Sequence, residues 1–157
     1  MEDLKEWIAY IYMGLFVGTL GFLGYVGVAV LLEFVMKWTH HFIDQSDENG
    51  NEVHGVFLPF VVFVGISTLY GFLGCFMTAY YAQGASMSGL PEIIAITNGI
   101  NYPEYFGKNI LLTKMVGNTL AVSAKMCVGK EGPLAHSGAN VGILTMYTVP
   151  FLDLRFL

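Results

Sequence analysis

One run of apolar residues constrains the fold of this chain more than any other feature. Between Trp7 and Val35 the only acidic or basic side chain is Glu33, and the hydrophobic unit as a whole covers residues 7–43. A helix needs about 20 apolar residues to cross the hydrocarbon core of a bilayer. Because this run is longer, we predict a membrane-spanning helix that is tilted or extends beyond the bilayer.

Glycines recur along this first segment at spacings of three and four residues. The set comprises Gly14, Gly18, Gly21, Gly24 and Gly27. Such spacing aligns small residues on one side of a helix, where a neighbouring helix can approach closely. Membrane helices are rich in glycine in general, but the regular spacing here favours a packing face.

The composition and a second apolar segment also indicate a membrane protein. Of the 157 residues, 55% are apolar and only 12% are charged, with a mean hydropathy of +0.60. Residues 56–82 carry no charge at all, which predicts a second span. The stretch between the spans, 44–55, is acidic and lacks Lys and Arg. Its acids do not have calcium-loop spacing, so we predict a solvated connection on the non-cytoplasmic side.

Charge and cysteine usage exclude several function classes. The net charge of -5 and the lack of a basic patch argue against binding to nucleic acid. Cys75 and Cys127 lie in apolar runs, with neither a disulfide framework nor zinc-ligand spacing. The adjacent His40 and His41 point to different faces of a helix. We therefore expect no metal site and no cofactor.

The segment after the second span has the pattern of a broken membrane helix. A loop of small residues over 83–90 leads to Pro91, and the short apolar stretch that follows ends at Asn98 and Gly99. A half-helix over 91–99 is too short to cross a bilayer. Irregular backbone at membrane depth occurs where it lines a cavity or is buried in protein. An ordinary surface loop between two spans remains the alternative.

Two further apolar segments, 109–128 and 133–149, follow a polar connector. The first contains Lys114 and Lys125. An intramembrane lysine indicates a functional site, although either side chain could instead extend to the membrane surface. Before the second segment, two glycines allow a sharp turn, and Pro133 suits the first helical position.

The two proline-entered helix starts, about forty residues apart, together predict an anion site. A helix start carries unpaired N–H groups and a partial positive charge. Two converging starts would hold an anion loosely enough to release it. Ser88 adds a hydroxyl donor. Glu131 would occupy the anion position when ionised and leave it when protonated. The spacing is equally compatible with a Glu131 that only caps its helix at the membrane surface.

These motifs resemble those of the CLC family of chloride channels and proton-coupled chloride exchangers. Residues 129–133, Gly-Lys-Glu-Gly-Pro, followed by His136 and Ser137, are similar to the second filter motif of that family. Residues 87–92 are similar to the first filter motif, with Met87 in place of the usual glycine. The resemblance covers nearly the whole chain. It implies an all-α membrane protein, a bundle of tilted, partly broken helices that contains the first inverted repeat only.

The resemblance also implies a role for each site residue. Ser88 would coordinate the central chloride, and backbone amides around Lys130 would bind the outer anion. Glu131 would be the gating glutamate and, in an exchanger, would also pass the proton. The implied anion-binding set is Ser88, Gly89, Leu90, Pro91, Gly129, Lys130, Glu131, Gly132 and Pro133. No enzymatic activity is implied.

The family's third filter motif, pore tyrosine, internal proton glutamate and second inverted repeat are absent from the 157 residues. The expected partners are therefore chloride and protons, the lipid bilayer, the missing half of the membrane domain and a second subunit of a homodimer. His136 and Ser137 are more similar to eukaryotic members, including the endosomal and lysosomal branch. The leading hypothesis is a voltage-gated chloride channel or a chloride/proton antiporter. The alternative is a shortened relative that serves as a structural membrane subunit without transport.

Overall fold

The computed structural model describes residues 2–48, 52–100 and 103–148, and these ranges contain helices but no strand. The prediction of an all-α protein is therefore confirmed. Two short 3-10 turns cover Gln83–Ala85 and Pro103–Tyr105. The α-helices are α1 (Glu2–Glu48), α2 (Glu52–Tyr81), α3 (Leu90–Thr97), α4 (Lys108–Ser123) and α5 (Glu131–Thr148).

Helices α1 and α2 form the apolar exterior of the molecule. The 47 residues of α1 correspond to a length of about 70 Å. Segments Glu6–Asp44 of α1 and Phe57–Tyr81 of α2 are long and apolar enough to cross a membrane. Most of their large side chains are exposed, including Phe22 and Tyr80. This arrangement fits an integral membrane protein whose outer helices contact lipid.

The acidic connection between α1 and α2 is shorter than predicted. The sequence indicated a solvated stretch over 44–55, but α1 continues to Glu48 and α2 begins at Glu52. Residues 49–51 of the predicted connection lie outside the described residues.

Helix α4 is the centre of the bundle, because it packs against α1, α2 and α5. A small core joins these elements. Val35 of α1 contacts Tyr70 of α2 and Ala124, which follows α4. The surrounding side chains are Leu31, Phe63, Ile66 and Leu120. Helix α3 is not part of this core and packs against α5 instead.

The predicted glycine face of α1 is present over half of its length. A Cβ added at Gly24 would lie 3.2 Å from Cε of Met115, and one at Gly27 would lie 3.1 Å from Cγ2 of Thr119. Gly21 faces Leu134 at 3.9 Å. Added Cβ atoms at Gly14 and Gly18 would meet nothing within 4 Å. Only the later glycines therefore allow the close approach of α4 and α5.

Helix α4 ends at Ser123, five residues before the predicted end at 128. The cause is a Schellman motif. The N–H of Met126 donates to the carbonyl of Ala121 at 3.3 Å, and the N–H of Lys125 donates to that of Val122 at 3.1 Å. Lys125 adopts the left-handed conformation with φ +57°. Five residues of the predicted span therefore form a turn towards α5.

The first bond of α5 joins the Leu134 N–H to the Lys130 carbonyl at 3.1 Å. The helix thus begins at Glu131, and Pro133 is its third residue rather than its first. The missing N–H of Pro133 still removes no helical hydrogen bond, because the bonds begin with Leu134. The predicted last residue of this segment, Val149, lies outside the described residues.

Candidate functional site

The structure brings the two predicted helix starts into direct contact. Gly89 caps α3 with φ +86°, a left-handed conformation that glycine adopts without strain. On the other side, a Cβ added at Gly132 in the first turn of α5 would lie 3.0 Å from Cβ of Ser88. Two segments about forty residues apart in the sequence are therefore in contact.

Both starts leave backbone N–H groups without a helical partner. The first helical bonds are from Ile93 to the Gly89 carbonyl in α3 and from Leu134 to the Lys130 carbonyl in α5, each at 3.1 Å. The earlier amides of each helix have no such bond. Ser88 Oγ accepts the N–H of Leu90 at 3.5 Å. Its own hydroxyl hydrogen remains available to a second partner.

A cavity of about 770 Å³ adjoins both starts. Its wall includes the loop before α3, the middle of α4 and the turn before α5. The lining residues that bear on the site are Met87, Ser88, Thr113, Lys114, Gly129 and Pro133. Met87 itself is exposed. A small anion could therefore contact a hydroxyl and the side of α4 from the same space.

Glu131 is exposed at the start of α5. Its Oε2 lies 3.0 Å from the position that a Cβ on Gly129 would take, so the side chain folds back over the turn before its helix. Within the described residues, no hydrogen bond or ion pair holds this carboxylate. The side chain can therefore move without breaking a specific contact.

Lys114 is the cation of the site, and its side chain is only 5% exposed. Its Nζ lies 2.6 Å from Nδ1 of His136. Extension of Lys114 to the membrane surface, one alternative at the level of sequence, is therefore wrong. Lys125, in contrast, is exposed in the turn after α4.

The sequence analysis assigned no role to three residues that organise this site, namely Glu92, His136 and Asn140. Glu92 in α3 is 9% exposed and close enough to Lys114 for an electrostatic interaction. The His136 ring meets Phe106 edge-on at 4.8 Å between centroids. Glu92 could have been found from the sequence, because it is a charged residue inside an apolar half-helix. The role of His136 could not, because only the fold brings this residue next to α3.

Asn140 fixes the start of α4 to α5. Its Oδ1 accepts the Gly107 N–H at 3.0 Å, and its Nδ2 donates to the Gly107 carbonyl at 3.1 Å. The side chain is 1% exposed. These paired bonds hold together the helices that carry Lys114 and His136.

In the ranges that the structure describes, no three His, Cys, Asp or Glu side chains converge in an arrangement that could hold a metal ion. Cys75 and Cys127 are free and exposed.

Comparison with known proteins relates the chain to one family. The family model described as "Voltage gated chloride channel" matches residues 70–153. The chain is 34% identical, over 90% of its length, to "Chloride channel protein C" of Dictyostelium discoideum. It is 32% identical over 87% of its length to "Putative chloride channel-like protein CLC-g" of Arabidopsis thaliana, and 26% identical over 88% to "H(+)/Cl(-) exchange transporter 7" of Bos taurus.

These alignments cover only part of each relative. They account for 18%, 17% and 17% of the three proteins in the same order, so the chain spans less than a fifth of their length.

Proposed function

The chain belongs to the voltage-gated chloride channel family, whose model matches more than half of it, and from this premise we propose that it forms part of a chloride pathway across a membrane. The observation that carries the proposal is the contact between Ser88 and Gly132 at the meeting point of two helix starts. Helix starts attract anions through free N–H groups and their partial positive charge.

The proposed anion site combines both motifs. Ser88 donates its hydroxyl hydrogen to the anion, since the Ser88 oxygen already accepts the Leu90 N–H. The free backbone amides of the two starts supply further donors. No arginine or lysine ammonium has to bind the ion directly, so it can be released quickly. The full proposed set is Ser88, Gly89, Leu90, Pro91, Gly129, Lys130, Glu131, Gly132 and Pro133.

Glu131 is the proposed gate. Its carboxylate is exposed, lies over the Gly129 turn and is held by no other described side chain. When ionised it competes with the anion for the positive end of α5. When protonated it loses this attraction and leaves the position, so proton binding and anion access become linked.

The names of the relatives include both chloride channels and a proton/chloride exchanger. We extend the proposal to a homodimer in which the remainder of a membrane domain completes each pore. We further propose voltage dependence and an endosomal, lysosomal or other intracellular membrane as the location. Fluorescence of a tagged protein confined to the plasma membrane would contradict this location.

The alternative is a structural membrane subunit that does not transport ions. The length of the native transcript and the intact mass of the native protein distinguish the two. A product of several hundred residues supports transport, whereas a product of 157 residues supports the structural role.

The gate is tested by chloride flux in liposomes that contain the full-length product of the native transcript. We expect Glu131→Ala to retain chloride flux and to lose its dependence on protons. The matched control is Glu104→Ala, which removes an exposed carboxylate outside the two helix starts. Unchanged proton dependence in Glu131→Ala would contradict the gating role.

The role of Ser88 is tested by anion selectivity. Ser88→Pro removes the hydroxyl donor, and we expect the preference to shift from chloride towards nitrate. Ser86→Ala is the control, because it removes an exposed hydroxyl two residues away. Identical chloride-to-nitrate ratios in Ser88→Pro and the unmodified protein would show that Ser88 does not contact the ion.

A further inference from the structure

Three ionisable side chains lie together beneath the loop that carries Ser88. Glu92 comes from α3, Lys114 from α4 and His136 from α5, and they are 9%, 5% and 1% exposed. A buried charge is costly unless it has an opposite charge or hydrogen-bond partner. One of the three, Lys114, lines the same cavity as Ser88, so the presence of this cluster requires an explanation.

The contact between Lys114 and His136 defines the state of the imidazole. Nζ of Lys114 lies 2.6 Å from Nδ1 of His136, and a lysine ammonium can only donate, so Nδ1 accepts when Lys114 is charged. The neutral ring then carries its proton on Nε2, a buried atom for which the described residues show no hydrogen-bond partner. Glu92 interacts electrostatically with Lys114 and offsets part of its charge. His136 thus fixes the direction of the ammonium group without cancelling its charge.

The same ring also supports the backbone of the Ser88 loop. A Cβ added at Gly89 would collide with Cγ, Nδ1 and Cβ of His136. The imidazole is therefore packed directly under the residue that follows Ser88. The ring also contacts Phe106 in a T-shaped arrangement. The His136 side chain consequently sets both the position of the loop that carries Ser88 and the position of the Lys114 ammonium.

We propose that His136 is a positioning residue for anion selectivity. It places the Ser88 hydroxyl and the Lys114 ammonium at a fixed separation across the cavity that both residues line. The Lys114 ammonium acts on the anion through its charge across the cavity and does not bind it directly, so the separation selects among monovalent anions by size and hydration. The proposal rests on the proposed function of the Ser88 site and adds a residue outside the two helix-start motifs.

The test compares two substitutions of His136 in the full-length product reconstituted in liposomes. His136→Gln keeps an oxygen that can accept from Lys114, whereas His136→Leu keeps bulk but no acceptor. We expect His136→Leu to change the chloride-to-nitrate permeability ratio about fivefold, the equivalent of one lost hydrogen bond. His136→Gln should restore most of the ratio. His40→Leu removes an exposed histidine of α1 and serves as the control.

Because His136→Leu leaves the Lys114 ammonium without its acceptor, the variant can fail to fold. The triple variant Glu92→Gln, Lys114→Met and His136→Leu removes all three ionisable groups, so that no buried charge is left without a partner. We expect it to fold and to show the altered ratio. A folded single or triple variant with the original ratio would overturn the proposal.

Gly89→Ala tests the contact between the ring and the loop separately. Gly99→Ala is the matched control, because both glycines have positive φ but an added Cβ at Gly99 meets nothing within 4 Å. Of the two, only Gly89→Ala should alter the permeability ratio. In a chain that already carries His136→Ala, Gly89→Ala should cause no further change. Equal effects of the two alanine variants would contradict the proposed support.

The outcomes separate this proposal from the function on which it rests. If the unmodified protein carries no chloride, the proposed function fails. If it carries chloride with the expected Glu131 dependence but His136→Leu retains the ratio, only the role of His136 fails.

Discussion

The exterior helices and the interior of the bundle have opposite compositions. Most described residues of α1 and α2 are exposed or half-buried, and Val35 and Tyr70 are among the few that are buried. The interior instead encloses polar side chains. They are Glu92, Thr113, Lys114, Ser123, His136, Ser137, Asn140 and Thr145. A soluble domain has the reverse distribution.

The difference shows what stabilises each region. Lipid tails are as apolar as these side chains, so burying an apolar surface residue gains no free energy. A helix of sufficient length and hydropathy is therefore enough to form the exterior. The interior is fixed by specific contacts, such as the bonds between Asn140 and Gly107. On the exterior, the free-energy cost of a substitution should therefore depend on its depth in the membrane. In the interior, the cost should depend on which hydrogen-bond partner is lost.

The largest effect is expected for Asn140→Leu. It leaves the N–H and the carbonyl of Gly107 without partners, which costs about 2–4 kcal/mol for two partly buried groups. The melting temperature in detergent micelles measures the loss. Asn109→Leu, at an exposed position of α4, should leave it nearly unchanged. Equal stabilities of the two variants would contradict the conclusion that Asn140 fixes the start of α4 to α5.

The exterior is tested by a charge placed at two depths of α2. Leu69→Arg, near the middle of the candidate span, should cost about 3 kcal/mol of membrane insertion. Tyr81→Arg at its end should cost little, because the side chain can reach the interface. Glycosylation mapping of the inserted fraction provides the readout. An insertion efficiency independent of depth would show that this face does not contact lipid.

Close packing along α1 is tested by a pair of glycine substitutions. Gly24→Leu forces a side chain against Met115, and we expect a loss of about 1–3 kcal/mol. Gly18→Leu meets no neighbour within 4 Å and should be neutral. Thermal unfolding in micelles compares them. If both variants unfold at the same temperature, the glycines of α1 do not form a packing face.

The smallest effect is expected at the end of α4. Lys125 has φ +57°, so Lys125→Gly relieves left-handed strain and should stabilise the protein by about 1 kcal/mol. Lys37→Gly, in the interior of α1, should destabilise it by about the same amount. Opposite shifts in melting temperature are predicted, and shifts of the same sign would contradict the helix end described here.

The contrast also explains which features could be predicted from the sequence. Both exterior segments were identified, because long charge-free runs such as 56–82 need no tertiary information. The half-helix was predicted over 91–99 and lies at Leu90–Thr97, since proline and glycine mark its ends. The early end of α4 was missed because Lys125, rather than glycine, takes the left-handed position.

The interior was less accessible to sequence reasoning. The motifs predicted that Ser88 and Glu131 share a site, and their chain segments do meet. The burial of Lys114 against His136 could not be predicted, because α4 and α5 come together through Asn140 and not through any local pattern. Spacing along the chain cannot distinguish a lysine that points inward from one that reaches the surface.

The meeting of the two helix starts is tested most directly by a cross-link. Ser88→Cys with Gly132→Cys, after Cys75→Ser and Cys127→Ser, places two thiols where the Cβ atoms are 3.0 Å apart, slightly closer than the separation of about 3.8 Å typical of a disulfide. In membranes under mild oxidation, we predict rapid loss of both free thiols by intact mass. Ser88→Cys with Gly138→Cys, which faces α1, should stay reduced. If the first pair also stayed reduced, the two starts would not meet and the anion site would be contradicted.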